Sequence, residues 1–587
     1  MQSMDMNRFT NYGLPGNCKE RILDNDYADY IISYNGDEQE ILDYFQGECL
    51  KFLDQNLALI TIKRQDINLM SVISQLYYMV PKCYGLMDTS SMEESGILRA
   101  QNQPVLNLKG RRKLVGIIDT GIDYQNPIFQ HVNGTTRIRA IWDQSIQTGT
   151  PPEDIFYGTE YTEEMINQAL QARNPLDVVP SVDSNGHGTF VSGIITGGED
   201  EANDFIGAAP MAELVVVKLK QAKQYLKDFY FIDSEEVYQE TDIMMAVYYL
   251  LNQAAKWHMP MCIYLGVGTN SGDHAGRGAL NEYLTRVNLF PGRFVSLPVG
   301  NEGNARRHFS GAVEEGEAYE TVEINVGANV PGIILELWGE TPNTYAIGLE
   351  SPYGEIIARI PPNFLLQQKI NFLLERTVVE ISYVLVEEFS GKQLIFIRMQ
   401  EPTEGIWKIR VYAVGNIQND FNIWMPIREF LSEDTYFLRP EPEVTLTEPS
   451  TADGPACSTA YNHVTDSLYV EAGRGFTSVG GIKPDFAAPG VNVYGPTATR
   501  MPDGRYAYTR RSGSSIAAAH TAGAAALLME WAETRSNVVR INGEAVKRYL
   551  IRGAKREPDV SYPNKLWGYG TLDLYGTFQS LQQRDVL

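Results

Sequence analysis

The stretch Ser-Gly-Ser-Ser-Ile-Ala-Ala-Ala-His-Thr-Ala-Gly-Ala-Ala-Ala-Leu-Leu, residues 512 to 528, constrains this chain more than any other. So many small residues in succession, closed by Leu527 and Leu528, suit a helix buried tightly against its neighbours, where larger side chains would not fit. The opening Gly-Ser-Ser sets Ser515 at the helix N-terminus, where the positive end of the dipole stabilises charge developing on a bound carbonyl oxygen. Taken alone, an Ala-rich core helix with a serine cap fits equally well. The residues upstream separate the two readings.

Lys113-Leu-Val-Gly-Ile-Ile118 is a continuous apolar run, as expected of a parallel strand buried on both faces, and it ends on Asp119-Thr-Gly-Ile-Asp123. An acid at the carboxyl end of such a strand lies where α/β sheets place their functional sites. Farther on, Asn185-Gly-His-Gly-Thr-Phe-Val-Ser-Gly193 sets His187 at the start of a helix after a Gly-flanked turn. A lone histidine is more often structural. A sheet-edge acid, a histidine and a helix-opening serine together provide an anion to fix a tautomer, a base, and a hydroxyl to deprotonate.

Asp119-Thr-Gly, Asn185-Gly-His-Gly-Thr and Gly513-Ser-Ser-Ile-Ala resemble the signatures of the subtilisin-like serine proteases, whose triad runs in the order Asp, His, Ser. Gly207-Ala-Ala-Pro210 and Lys483-Pro-Asp-Phe-Ala-Ala-Pro-Gly490 are similar to further family landmarks. The resemblance implies Asp119, His187 and Ser515 as the catalytic residues and Asn301, in Val299-Gly-Asn-Glu-Gly303, as an oxyanion donor. It also implies that Leu265-Gly266-Val267-Gly268 pairs edge to edge with an extended substrate. Ser514, Ile516 and Ala519 replace the family's usual Thr, Met and Pro, and none of these changes removes a proton carrier. His520 reads as a packed helix residue. Calcium is common in such proteases, but no loop here has a spacing that fixes a site, and the remaining histidines show no metal spacing.

The expected architecture is α/β: a subtilisin-like parallel sheet with helices on both faces, built from residues 97–310 and 446–587. Residues 1–96 read as an α+β propeptide. Its strands are Asp29 to Tyr34 and Leu57 to Ile62, its helices Glu38 to Phe45 and Leu69 to Leu76, with a closing strand at Tyr77-Tyr-Met-Val80 and a polar linker from Met87 to Gln103. Residues 311–445 carry regular short strands with turn signals, which suggests an inserted sandwich or jelly roll that stiffens the fold. One helix is expected there, at Ile360 to Leu374.

The insertion, the absence of a secretion signal and the segment Val217 to Phe231 leading to Glu240-Thr-Asp-Ile-Met244 resemble the Csp-type germination proteases of clostridial spores. That resemblance implies a zymogen that cuts its own propeptide and retains it. It also implies a protein substrate, the precursor of a spore cortex-lytic hydrolase. The alternatives are an intracellular subtilisin for general turnover and a catalytically silent sensor or scaffold on the same fold. With 73 acidic and 49 basic side chains, a net charge of -24, the chain is a poor nucleic-acid partner, and solubility accounts for the excess acid. No run of eighteen apolar residues suggests a membrane span, and the N-terminus lacks a basic head followed by an apolar stretch, so a cytoplasmic or spore-associated location is expected. Five scattered cysteines without a CxxC pair make a disulfide scaffold or structural zinc site an unpromising reading.

Overall fold

The apolar run before Asp119 is buried on both faces, and its side chains alternate between two separate cores. In a computed structural model, residues 17–36, 38–64, 69–86, 94–362, 368–415, 419–535 and 540–582 are described. The strand Leu114–Asp119 runs through the middle of a nine-stranded sheet, between the parallel strands Met261–Leu265 and Glu213–Lys218. Val115 and Ile117 face a core shared with the helices His187–Thr196 and Ser514–Arg535. Leu114 and Ile118 face the opposite core, shared with Glu240–Lys256 and Ala279–Leu289. This is the subtilisin-like sheet with helices on both faces. Residues 516–528 lie inside the first core, where a Cβ added at Gly523 would stand 2.2 Å from the Ala208 Cβ. Contact that close admits only small side chains.

The inserted residues form two antiparallel sheets, of six and five strands, packed over one apolar core that includes Leu335, Ile397, Trp407 and Phe421. Where a helix is expected, from Ile360 to Leu374, the chain instead forms the strands Ile356–Ile360 and Gln368–Asn371. Residues 363–367 lie outside the described residues. Pro361 and Pro362 interrupt the segment, and proline inside a helix removes a donor and clashes with the preceding turn.

The N-terminal segment forms a three-stranded antiparallel sheet in the order Tyr27–Ser33, Leu57–Lys63, Cys49–Phe52. One face, with Ile31, Leu57 and Leu59, packs on the helix Glu240–Lys256. The other, with Tyr30 and Ile32, packs with Met70 and Ile73 into a core that also holds Leu226, Trp338 and Phe396. Three expectations change here. Tyr77–Met79 is a 3-10 turn, not a closing strand, because the Tyr77 ring leaves the sheet and meets Trp338 edge-on at 5.2 Å. The linker gives way to a helix, Ile97–Asn102, whose Gln101 amide is buried and donates to the carbonyls of Gly207 and Ala208 at 2.8 and 2.7 Å. Residues 87–93 of that linker lie outside the described residues. Finally, Cys18 and Cys49 form a disulfide within the N-terminal unit, bridging a 31-residue separation that no sequence spacing announced.

Candidate active site

Three backbone elements bring the site together from distant parts of the chain. Asp119 ends the central strand, His187 is the first residue of its helix, and Ser515 lies in the first turn of Ser514–Arg535. The His187 Nδ1 lies 2.8 and 2.9 Å from the two Asp119 carboxylate oxygens, and its Nε2 is 3.1 Å from the Ser515 Oγ. A carboxylate only accepts, so it fixes the Nδ1–H tautomer and leaves Nε2 free to accept the serine proton. All three residues are buried.

The supporting bonds explain why the histidine turn has its sequence. Asp119 Oδ1 also accepts from the Thr120 N–H at 2.8 Å. The Thr120 hydroxyl donates to Asp183 at 2.8 Å. Asp183 in turn accepts from the Gly186 and Thr189 N–H groups and from the Thr189 hydroxyl, at 2.8, 2.7 and 2.7 Å. Asp183 therefore shares the start of the histidine helix with Asn185 and Thr120, which accept from the His187 and Gly188 N–H groups, and ties it to the strand end that carries Asp119. Sequence reasoning passed over it. An acid in the polar turn Asp183-Ser-Asn-Gly186 that leads into the helix is the signal that could have found it.

Around the serine, the Ser514 N–H donates to Asn301 Oδ1 at 3.2 Å, and the Ser514 Oγ accepts from the Gly300 N–H at 3.1 Å. With its oxygen held, the Asn301 amide has its NH2 to offer beside the Ser515 N–H, a pair of donors suited to an oxyanion. Glu302, also missed, is buried next to it. It accepts from Asn270 Nδ2 at 3.2 Å and from the Arg428 N–H at 3.3 Å, which joins the Asn301 loop to the inserted unit. Gly490, of the Ala-Pro-Gly landmark, accepts from the Gly513 N–H at 2.7 Å and so fixes the approach to Ser515. His520 is fully buried, hydrogen-bonds through Nδ1 to the Ile516 carbonyl at 2.8 Å, and is pushed down to about 3 by burial, so it stays neutral.

Of the stretch Leu265 to Gly268, Leu265 ends a sheet strand, and Gly266 packs on the triad: a Cβ there would stand 2.3 Å from Asp119 Oδ2. Val267 and Gly268 pair antiparallel with Leu86 and Gly85. On its other side the same strand, Cys83–Leu86, pairs with Tyr238–Gln239. A segment of the N-terminal unit thus lies as the middle strand beside the triad. Cys83 lines a pocket with Tyr230 and Ile232 and with Ile334, Trp424 and Met425 of the inserted unit. Among the described residues, no group of three or more His, Cys, Asp or Glu is arranged to hold a metal ion, and no helix is long and apolar enough to cross a membrane.

Comparison with known proteins agrees with this geometry. The solved structure of the Clostridium perfringens CspB protease is similar, with a TM-score of 0.74 and 29% identity over 84% of this chain and 97% of that one. The minor extracellular protease Vpr of Bacillus subtilis (strain 168) is 34% identical over 90 residues, which amount to 15% of this chain and 11% of Vpr. A sequence model of the subtilase family matches residues 110–256 and 396–570, more than half of the chain. The protein belongs to the subtilase family of serine proteases.

Proposed function

We propose that this protein is a serine endopeptidase that first cuts itself C-terminal to Leu86 and then activates a protein precursor. Ser515 is the nucleophile, His187 takes its proton and gives it to the leaving amine, Asp119 orients the imidazole, and Asn301 with the Ser515 N–H holds the oxyanion. The observation that carries this reading is the antiparallel placement of Cys83–Leu86 between Val267–Gly268 and Tyr238–Gln239, which is how strand addition holds an extended substrate. Beyond it, the helix Ile97–Asn102 is anchored through Ile97 and Ala100 in the core that holds Leu574 and Phe578, so the intervening residues join two fixed points.

Purified protein is expected to run as two bands under denaturing conditions, one of them an N-terminal fragment of about ten kilodaltons by chain length. Ser515→Ala protein should give one full-length band. If that variant were cut at the same bond, another protease would be responsible. The fragment stays docked under native conditions, because its sheet buries apolar side chains on both faces and its acids pair across the contact. Lys223 Nζ lies 2.9 Å from Asp29 Oδ2, and Arg286 Nε lies 2.7 Å from Asp54 Oδ2.

Asn301→Ala should lower turnover about a hundredfold to a thousandfold, the usual worth of one oxyanion donor, without shifting the thermal midpoint by more than a few degrees. Unchanged turnover would reduce Asn301 to a turn residue. The resemblance to Csp germination proteases supports a cortex-lytic hydrolase precursor as the substrate in spores. Incubating that precursor with the processed protein, and with Ser515→Ala as control, tests the assignment by the appearance of the shortened hydrolase.

A further inference from the structure

The residue before the cleft strand, Lys82, enters a buried acidic cavity that the catalytic mechanism does not use. Its side chain is 5% exposed, and its Nζ lies 3.8 Å from Glu240 Oε2 and 4.6 Å from the centre of the Tyr77 ring. The cavity is lined by Glu240, Asp273, Glu387 and Glu448, all buried. Glu336 stands beside it, accepting from the Tyr77 hydroxyl at 2.6 Å and the Gly272 N–H at 2.9 Å. About 20 Å3 remains free, room for roughly one water, so Lys82 and the two tyrosines before it fill the space.

Two features point to a cation delivered by the cleft strand. The first is backbone register. The Lys82 carbonyl accepts from the Glu240 N–H at 3.0 Å and its N–H donates to Glu240 Oε2 at 3.2 Å, so Lys82 continues the pairing that holds Cys83–Leu86 and its side chain arrives as part of the extended strand. The second is an unmet acceptor. Asp273 Oδ2 is buried in the cavity wall without a hydrogen-bond partner among the described residues. A buried carboxylate oxygen left without a donor is costly unless a cation or donor is brought to it. Burial and the neighbouring Asp273 push Glu448 up to about 7, which Lys82 opposes. The other cations facing the cavity are engaged elsewhere: Lys392 Nζ lies 2.9 Å from Glu340, and Arg277 donates to the Ser390 carbonyl.

We propose that this cavity is a substrate subsite for a lysine or arginine side chain at least five residues N-terminal to the cleaved bond, and that Lys82 occupies it in the uncut chain. The inference rests on the reading of Cys83–Leu86 as a substrate-like strand. It narrows the substrate class to proteins that carry a basic residue directly ahead of an extended segment. Trp338, Glu387 and Phe389 of the inserted unit complete the cavity wall, so the insertion takes part in substrate selection.

The test uses processed protein freed of its docked N-terminal fragment by mild denaturant and gel filtration, and quenched fluorescent peptides that copy residues 78–94, with Lys, Arg, norleucine or Glu at the position of Lys82. Lysine and arginine peptides should be cleaved with kcat/KM about tenfold to a hundredfold above norleucine, the range for a hydrogen bond to a charged group, and glutamate should be slowest. Glu240→Gln should shrink the lysine preference. Equal kcat/KM across the panel overturns the subsite while leaving the protease reading intact. Should the parent cleave no peptide, self-processing of the full chain decides. Lys82→Arg is then expected to be cut at near the parent rate and Lys82→Met at least tenfold more slowly, whereas an equal rate for Lys82→Met overturns the subsite. A parent that neither self-processes nor cleaves any peptide removes the protease reading and the subsite with it.

Discussion

Ser515→Ala protein is expected to hydrolyse casein and peptide esters roughly a millionfold more slowly than the parent, the loss seen when a triad nucleophile is removed. The Ser515 Oγ, 3.1 Å from His187 Nε2, is the atom that would form the acyl bond, and alanine offers no substitute. The fold should be indifferent to the change. Ser515 sits among Ile516, Ala517 and Ala518 in a helix start that is held by other groups, the Ser514 N–H on Asn301 and the Gly300 N–H on Ser514 Oγ. A thermal midpoint within a few degrees of the parent would show that the loss is chemical. Hydrolysis by Ser515→Ala at near the parent rate would dismiss Ser515 as the nucleophile. Because the same serine is proposed to cut the chain after Leu86, the variant also provides uncut protein in which the docked strand can be studied.

How much of this could be read from the residues depended on whether the physical cause was local. The run of alanines at 517–519 and 524–526 encodes close helix packing directly, because any larger side chain collides, as the 2.2 Å approach at Gly523 shows. The alternation of Leu114, Val115, Ile117 and Ile118 between two cores is equally local, since an apolar strand without polar alternation must be covered twice. Tyr77 to Val80 misled for the opposite reason. Aromatic, β-branched character favours a strand, but the partners that decided the conformation, Trp338 and Phe396, lie far along the chain in the inserted unit. The Cys18–Cys49 bond was hidden because the two residues share no motif spacing. Solubility accounts for most of the acidic excess. Glu240, Asp273, Glu336, Glu387 and Glu448 are nevertheless buried around one lysine, and only tertiary structure brings them there.

Asp119→Asn should lower kcat about ten-thousandfold and leave the fold intact, and the hydrogen bonds around the carboxylate say why. Oδ1 accepts from the Thr120 N–H at 2.8 Å, so an asparagine would keep its carbonyl oxygen on that side rather than set an NH2 against a donor. Its NH2 would then take the place of Oδ2, 2.9 Å from His187 Nδ1. That arrangement makes Nδ1 the acceptor and moves the imidazole proton to Nε2, where it faces the Ser515 hydroxyl. The histidine would still be 3.1 Å from the serine but could no longer accept its proton. The substitution differs from Ser515→Ala in what survives: the nucleophile and both oxyanion donors remain, so residual turnover should exceed that of the serine variant by about a hundredfold. Measuring both variants on one peptide ester, with parallel thermal melts, checks the order. An Asp119→Asn protein with kcat within tenfold of the parent would mean that His187 is oriented by the Thr120–Asp183 bonds alone and that Asp119 is a structural acid at the end of its strand.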